Sequence, residues 1–67
     1  MITTGTDLWK ARLRLGWSAL EMADALRLEG SDANKRRFVQ QVEDGKRALS
    51  GPVAVACESF LAGFRPE

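Results

Sequence analysis

The chain has 67 residues, with one cysteine, no histidine, no tyrosine and a formal net charge of +1 at pH 7. This length predicts a single small domain, and one cysteine without histidine excludes an internal disulfide and the familiar zinc sites. The composition also excludes Ser–His and Cys–His nucleophilic pairs, so we expect a binding protein rather than an enzyme, with no cofactor and no metal.

Helical periodicity, without sustained alternation of apolar and polar residues, predicts four helices. The first is expected over residues 7–15, between a cap at Thr6 and a stop at Gly16. The second opens at Ser18, which forms a Ser-x-x-Glu capping box with Glu21. Its inward side chains are expected to be Leu20, Ala23 and Leu26, with Met22 at the edge.

A polar, turn-forming stretch over residues 29–34 precedes the third helix. That helix is expected over residues 35–44 under an Asn34 cap, or from an earlier cap at Ser31, and Gly45 is its stop. We expect its apolar stripe to consist of Phe38, Val39 and Val42.

The fourth helix is expected to begin at Pro52, a favoured first helical residue, and to end near Gly63 and Pro66. Four short helices predict the all-α fold class, as a compact bundle. The fourth carries more apolar side chains than one buried face needs, and a small core gains stability from pairing, so we expect a homodimer. The predicted dimer interface consists of Val53, Cys57, Phe60, Leu61 and Phe64.

Three side chains that could carry chemistry are assigned to packing instead. Cys57 is interpreted as a small buried apolar residue, because a redox sensor needs an exposed thiolate of low pKa. Trp9 and Trp17 are expected in the core or at its edge rather than stacked on nucleic acid.

Two charged residues lie on otherwise apolar helix faces. Arg12 follows Leu8 by four residues on the first helix, and Glu43 extends the Val39–Val42 stripe of the third. Because an unpaired ionised group on an inward face is costly, we expect Arg12 and Glu43 to form a partly buried ion pair. The alternative is two long side chains that reach solvent separately and never meet.

The positive charge is concentrated in the middle of the chain. Residues 1–30 hold four basic and four acidic residues, whereas residues 31–47 hold five basic and three acidic ones. The third helix turns Arg37, Gln40 and Gln41 away from its apolar stripe and has Arg36 at the flank. Arginine and glutamine are the side chains that read guanine and adenine in the major groove. An ordinary solvated helix face is the alternative.

This pattern yields two sets of candidate DNA contacts. The base-contacting set lies on the outward side of the third helix and consists of Arg36, Arg37, Gln40 and Gln41. The phosphate-contacting set lies at helix starts and in the basic loop, and consists of Ser18, Asn34, Lys35, Lys46 and Arg47.

Two motifs together resemble the lambda-repressor-like helix-turn-helix family of the Cro and xenobiotic-response-element type. The first motif reads Arg12-x3-Gly16-x-Ser18-x4-Ala23, and the second reads Val39-x2-Val42-Glu43-x-Gly45-Lys46-Arg47. The resemblance covers residues 8–49 and implies a small helical bundle whose second and third helices bind DNA. It also implies an ion pair between Arg12 and Glu43, a phosphate beside Ser18, and bases facing the exposed side of the third helix.

The chain departs from that family at two places. Arg27 occupies the position of the usual turn glycine, and about six extra residues follow Leu28. Either the turn is a longer loop, or the third helix starts early, near Ser31. The chain also has one helix after residue 51 where many members have two, and this compact form resembles small phage-related regulators, including anti-CRISPR-associated repressors.

We therefore expect a single domain over residues 1–67, with a DNA-binding core at 6–47 and a C-terminal dimerisation helix at 52–64. The expected function is that of a transcriptional regulator, a repressor that binds double-stranded DNA at an inverted repeat. The alternative is a protein-interaction module, antitoxin-like or bridging, that binds a partner protein with the same helices. No signal peptide, membrane segment or small-molecule effector is indicated, so we expect a cytoplasmic protein, nucleoid-associated on DNA.

Overall fold

The computed structural model describes residues 1–65, and every regular element in this part of the chain is an α-helix. The helices are α1 (Gly5–Leu15), α2 (Ala19–Ala25), α3 (Asp32–Glu43) and α4 (Gly51–Leu61). α3 packs against α1 and α2, and α4 packs against α1, which produces the predicted all-α bundle. None of these helices has the length and apolar character needed to cross a membrane.

The first helix begins two residues earlier than predicted, because Thr4 and not Thr6 is its cap. The Asp7 amide donates to the Thr4 hydroxyl oxygen at 3.2 Å, and the Asp7 carboxylate accepts from the Thr3 and Thr4 amides at 3.0 and 3.1 Å. These hydrogen bonds, the one from the Thr3 amide foremost, lower the pKa of Asp7 below its ordinary value of 3.8. An ionised carboxylate therefore helps to set where α1 starts.

Serine caps the other three helices. The predicted capping box of α2 is present: the Ser18 amide donates to the Glu21 carboxylate at 2.8 Å, and the Glu21 amide donates back to the Ser18 hydroxyl at 3.1 Å. Of the two starts considered for α3, the earlier is correct, because the Ser31 hydroxyl accepts from the Asn34 amide at 3.2 Å. Ser50 caps α4, which therefore begins one residue earlier than predicted.

All four helices end in the same hydrogen-bonded turn, in which a residue with positive φ follows the last helical turn. Gly16, Gly45 and Gly63 occupy this position after α1, α3 and α4, so the predicted glycine stops are confirmed. Pro66, the other predicted stop of α4, lies outside the described residues. After α2 the position is taken by Arg27, whose φ is 61°.

The core is formed by the inner faces of the four helices together with Ile2 from the N-terminal segment. Met22, expected at the edge, is completely buried, whereas Leu20 and Leu26 are half-buried. α2 is therefore rotated from its predicted orientation, with its small alanines packed inward beside Met22. The buried apolar side chains are Ile2, Leu8, Ala11, Ala19, Met22, Ala23, Val39, Val42, Cys57 and Phe60.

The orientation of α4 corrects the predicted dimer patch. Cys57 and Phe60 are 0% and 3% exposed and belong to the core of the protomer, so they offer no surface to a second copy. Burial raises the pKa of the Cys57 thiol to about 11, which fits the prediction of a small buried side chain. Of the other three members, Val53 and Leu61 are half-buried and Phe64 is 63% exposed.

The two tryptophans have different environments. Trp17 is half-buried and packs edge-on against Phe60, with 5.4 Å between the ring centroids, as predicted for a core-edge residue. Trp9 is 44% exposed, and its predicted place in the core or at its edge is wrong. The inward stripe of α1 runs through Leu8 and Ala11, and Trp9 lies about 100° around the helix from Leu8.

α1 and α3 come into backbone contact at Gly5. A Cβ atom at this position would overlap the carbonyl oxygen of Val42 and lie 3.1 Å from the Cα atom of Glu43. Because Gly5 has no side chain, the first turn of α1 rests directly on the last turn of α3.

Candidate nucleic-acid interface

Arg12 and Glu43 form the predicted ion pair between α1 and α3. The Arg12 Nε and Nη2 atoms donate to the two carboxylate oxygens of Glu43 at 2.7 and 2.9 Å, and the Nη1 atom donates to the carbonyl of Trp17 at 3.2 Å. The side chains are only 17% and 7% exposed. The hydrogen bonds to Glu43 raise the pKa of Arg12 further above its ordinary value. This pair fixes the C-terminal end of α3 and neutralises a carboxylate beside the basic loop.

Lys35, a predicted phosphate contact, instead pairs with two carboxylates at the bundle surface. Its Nζ atom lies 2.7 Å from the Asp24 carboxylate on α2 and 3.7 Å from that of Asp32, and its side chain is 16% exposed. The hydrogen bond to Asp24 raises the pKa of Lys35 above its ordinary value. Lys35 therefore connects α3 to α2, and this arrangement does not favour a phosphate contact.

Four basic side chains on α3 and in the loop after it are not paired with a carboxylate of the described residues. Within residues 1–65, no ion pair involves the exposed side chains of Arg36, Arg37, Lys46 or Arg47. Among the acidic residues over positions 31–47, Glu43 is paired with Arg12 and Asp32 lies near Lys35, which leaves Asp44 unpaired. Because Arg12 and Asp24 enter the region as partners of opposite charge, its net charge is unchanged, while the unpaired positive charge lies on α3 and in the loop after it.

The predicted base contacts do not all share one side of α3. Arg36, Arg37 and Gln40 are exposed, whereas Gln41 is half-buried. Gln40 lines a cleft of about 390 Å³ on the α1 side, and this cleft also contains Trp9. Arg37 and Gln41 line a second cleft, of about 360 Å³, beside Leu28 and Arg47. The second cleft is bounded by Leu28, Glu29, Asn34, Lys35, Arg37, Phe38, Gln41 and Arg47.

Two of the predicted phosphate contacts, Ser18 and Asn34, lie at helix starts. The hydroxyl oxygen of Ser18 accepts the Glu21 amide proton at 3.1 Å, so its own proton remains able to donate to a phosphate. The side chain of Asn34 is exposed at the rim of the second cleft. Both residues therefore keep the donor capacity that a phosphate contact requires.

Arg47 makes contacts that sequence reasoning missed. Its guanidinium carbon lies 5.0 Å from the centroid of the Phe38 ring, and its Nε and Nη2 atoms donate to the Gln41 side-chain oxygen at 3.4 and 3.3 Å. Arg47 follows Gly45, where the chain reverses and returns along α3. The glycine stop was a visible signal of that reversal, but no local pattern identifies the partners on α3.

Comparisons with protein-family models, with curated proteins and with solved structures found no match to this chain. The resemblance to the helix-turn-helix family therefore rests on the sequence motifs and stays a prediction. Among residues 1–65, no group of three or more cysteine and acidic side chains is arranged to hold a metal ion. The candidate site is thus a charged, polar surface around α3.

Proposed function

We propose that this protein is a sequence-specific DNA-binding transcriptional regulator that inserts α3 into the major groove. The observation that carries the proposal is the group of free cations on and after α3, namely Arg36, Arg37, Lys46 and Arg47, while Lys35 and Arg12 are engaged in internal ion pairs. Cations left unpaired on one surface of a domain with little net charge favour an anionic partner at that surface.

The residues around α3 suit two kinds of contact. Lys46 and Arg47 lie in the loop after the helix, where they would bind phosphates and position the protein without reading sequence. Ser18 and Asn34 would add neutral donors at two helix starts. The base contacts would come from Arg36, Arg37 and Gln40, which are exposed on α3, and from the half-buried Gln41.

The proposed regulator acts as a homodimer on an inverted repeat. Since the core of so small a domain is marginal, pairing would stabilise it, and two copies would match half-sites about one helical turn, ~34 Å, apart. With Cys57 and Phe60 in the core, the proposed interface is reduced to the outer surface of α4 and the segment after it. Val55 and Phe64 are each 63% exposed there. Bound dimers would repress by blocking polymerase.

Selection from a random-sequence DNA pool, repeated at two salt concentrations, tests the proposal. We expect enrichment of one palindromic site and an affinity that falls steeply as salt rises, because phosphate contacts release counterions. A pool without enrichment would overturn the proposal and favour the alternative, a module that binds a partner protein. Enrichment of a site without twofold symmetry would contradict the homodimer.

A further inference from the structure

The side-chain amide of Gln41 is oriented by Arg47. A guanidinium has only N–H donors, so the group facing it must be the amide oxygen and not the amide nitrogen. Both the Nε and Nη2 atoms of Arg47 donate to that one oxygen, at 3.4 and 3.3 Å. The amide oxygen therefore faces Arg47, and the NH₂ group of Gln41 points away from it.

Arg47 is itself held in place by Phe38. The guanidinium carbon lies 5.0 Å from the ring centroid, within the range of an attractive cation–π contact. Phe38, Gln41 and Arg47 line the same cleft beside α3. The three side chains therefore form one ordered unit, called here the Phe38–Gln41–Arg47 cluster.

This arrangement changes what Gln41 can recognise. A free glutamine reads adenine with two hydrogen bonds, since its oxygen accepts from N6 and its nitrogen donates to N7. With the oxygen of Gln41 occupied by Arg47, only the NH₂ group remains to face a base. Guanine presents two acceptors in the major groove, N7 and O6, and matches a group that only donates.

We propose that Arg47 is a positioning residue that makes Gln41 a donor-only reader, which selects guanine rather than adenine at its base position. The inference rests on the proposed DNA-binding function. It assigns Arg47 a role in specificity in addition to any phosphate contact, and it separates Gln41 from Gln40, whose amide has no such partner among the described residues.

The test measures base preference by competition binding on the enriched operator, with each half-site position changed to all four base pairs. The position read by Gln41 is the one at which Gln41→Ala removes the preference. There we expect the wild-type protein to favour guanine over adenine at least about fivefold, which corresponds to ~1 kcal/mol, the lower limit for one good base contact.

Arg47→Met is the decisive variant, because methionine can still cover Phe38 but has no N–H donor. We expect it to lose the guanine preference or shift it toward adenine, and to have no further effect on base preference in the Gln41→Ala background. Lys46→Ala is the matched control: it also removes one cation from the loop, and it should weaken all sequences equally. Circular dichroism of each variant confirms that it is folded.

The outcomes separate this inference from the function on which it rests. An adenine preference in the wild-type protein, or an Arg47→Met profile equal to that of Lys46→Ala, overturns the role of Arg47 and leaves DNA binding intact. The role of Arg47 is also overturned, with DNA binding intact, if Gln41→Ala leaves the base preference unchanged at every position. Failure to enrich any sequence overturns both the proposed function and the inference.

Discussion

The guanidinium of Arg12 joins three parts of the chain. It lies on α1, and its donors reach the carboxylate of Glu43 on α3 and the carbonyl of Trp17 in the turn before α2. Each of its three nitrogens donates a hydrogen bond to protein, which offsets part of the cost of taking the charge out of water. One residue thus fixes the geometry of α3 relative to both its neighbours.

Glu43→Gln is expected to destabilise the fold by about 3 kcal/mol, because Arg12 then remains largely buried without a counter-charge. Urea titration followed by circular dichroism measures the loss. Asp44→Asn is the matched control: it removes the neighbouring carboxylate, which is exposed and unpaired within residues 1–65, and it should change stability by less than ~0.5 kcal/mol. A Glu43→Gln protein within ~1 kcal/mol of the wild type would contradict the structural role of the pair.

Arg37→Ala tests the recognition surface at the same scale. If Arg37 contacts a base, its loss should cost ~1–3 kcal/mol of binding free energy and relax specificity at one position of the operator. Arg14→Ala removes the same charge from an exposed position on α1 and should have little effect on specificity. Fluorescence anisotropy on the selected operator measures both. If Arg37→Ala and the wild-type protein bind the operator with equal affinity and equal base specificity, Arg37 does not belong to the base-contacting set.

At the scale of the helices, α2 differs from the others in the residue that ends it, which is Arg27 instead of glycine. After α2 the amide of Arg27 donates to the Asp24 carbonyl at 3.0 Å, and the amide of Leu28 donates to the Ala23 carbonyl at 3.1 Å. This is the turn that ends the other helices at glycine, but Arg27 adopts it with a φ of 61°. A side chain in this left-handed conformation costs roughly 1–2 kcal/mol. The connection to α3 therefore stores a small strain.

Arg27→Gly should stabilise the protein by about 0.5–1 kcal/mol, since the relieved strain exceeds the greater freedom of glycine in the unfolded chain. Thermal unfolding followed by circular dichroism would show a higher Tm. Lys10→Gly is the control: it places glycine at an exposed helical position within α1 and should lower the free energy of unfolding by roughly 0.5–1 kcal/mol. A lower Tm for Arg27→Gly would show that the arginine side chain contributes more than its backbone costs.

The contact of α1 with α3 at Gly5 leads to a second prediction for the elements. Gly5→Ala should destabilise the fold by about 2 kcal/mol or more, because the new methyl group overlaps the backbone of Val42 and the helices must separate. Gly51→Ala is the matched control: Gly51 is also the first residue of its helix, and a Cβ atom there meets nothing within 4 Å. In chemical denaturation, Gly5→Ala should lower the free energy of unfolding and Gly51→Ala should raise it slightly. If neither variant changes the free energy of unfolding, the close approach at Gly5 is contradicted.

At the scale of the whole molecule, a small core coexists with exposed apolar side chains. Ten apolar residues are buried within residues 1–65, and a domain of this size rarely gains more than ~3–5 kcal/mol from its core. Val55 and Phe64, each 63% exposed, remain available for a second copy, while Leu13 is 55% exposed on α1. A homodimer would cover part of this surface and add stability that depends on protein concentration.

Phe64→Ser should shift the protein from dimer to monomer at tens of micromolar in light scattering, with a lower Tm. Leu13→Ser is the matched control, since it removes a similarly exposed apolar side chain outside the proposed interface and should leave the molar mass unchanged. A wild-type protein that is monomeric both free and on DNA would contradict the dimer.

The four helices, the Ser18 cap of α2, the glycine stops of α1, α3 and α4, and the concentration of charge near α3 could be predicted because these signals are local. A cap and its partner lie three residues apart, and helical periodicity is contained within each segment. The pair of Arg12 and Glu43 was also predictable, because two opposite charges on apolar faces leave few other solutions. The sequence alone thus determined the fold class and one tertiary contact.

Only the tertiary structure decided which face of α4 is inward, because that helix is apolar on several sides and its periodicity is weak. It also decided that Lys35 binds Asp24 and that Arg47 holds Gln41, since in each contact the two residues lie on different segments of the chain. The glycine at position 5 is required by a neighbour 37 residues away in the chain and not by its own helix. Such contacts depend on how packed helices meet, and that geometry has no local signature in the chain.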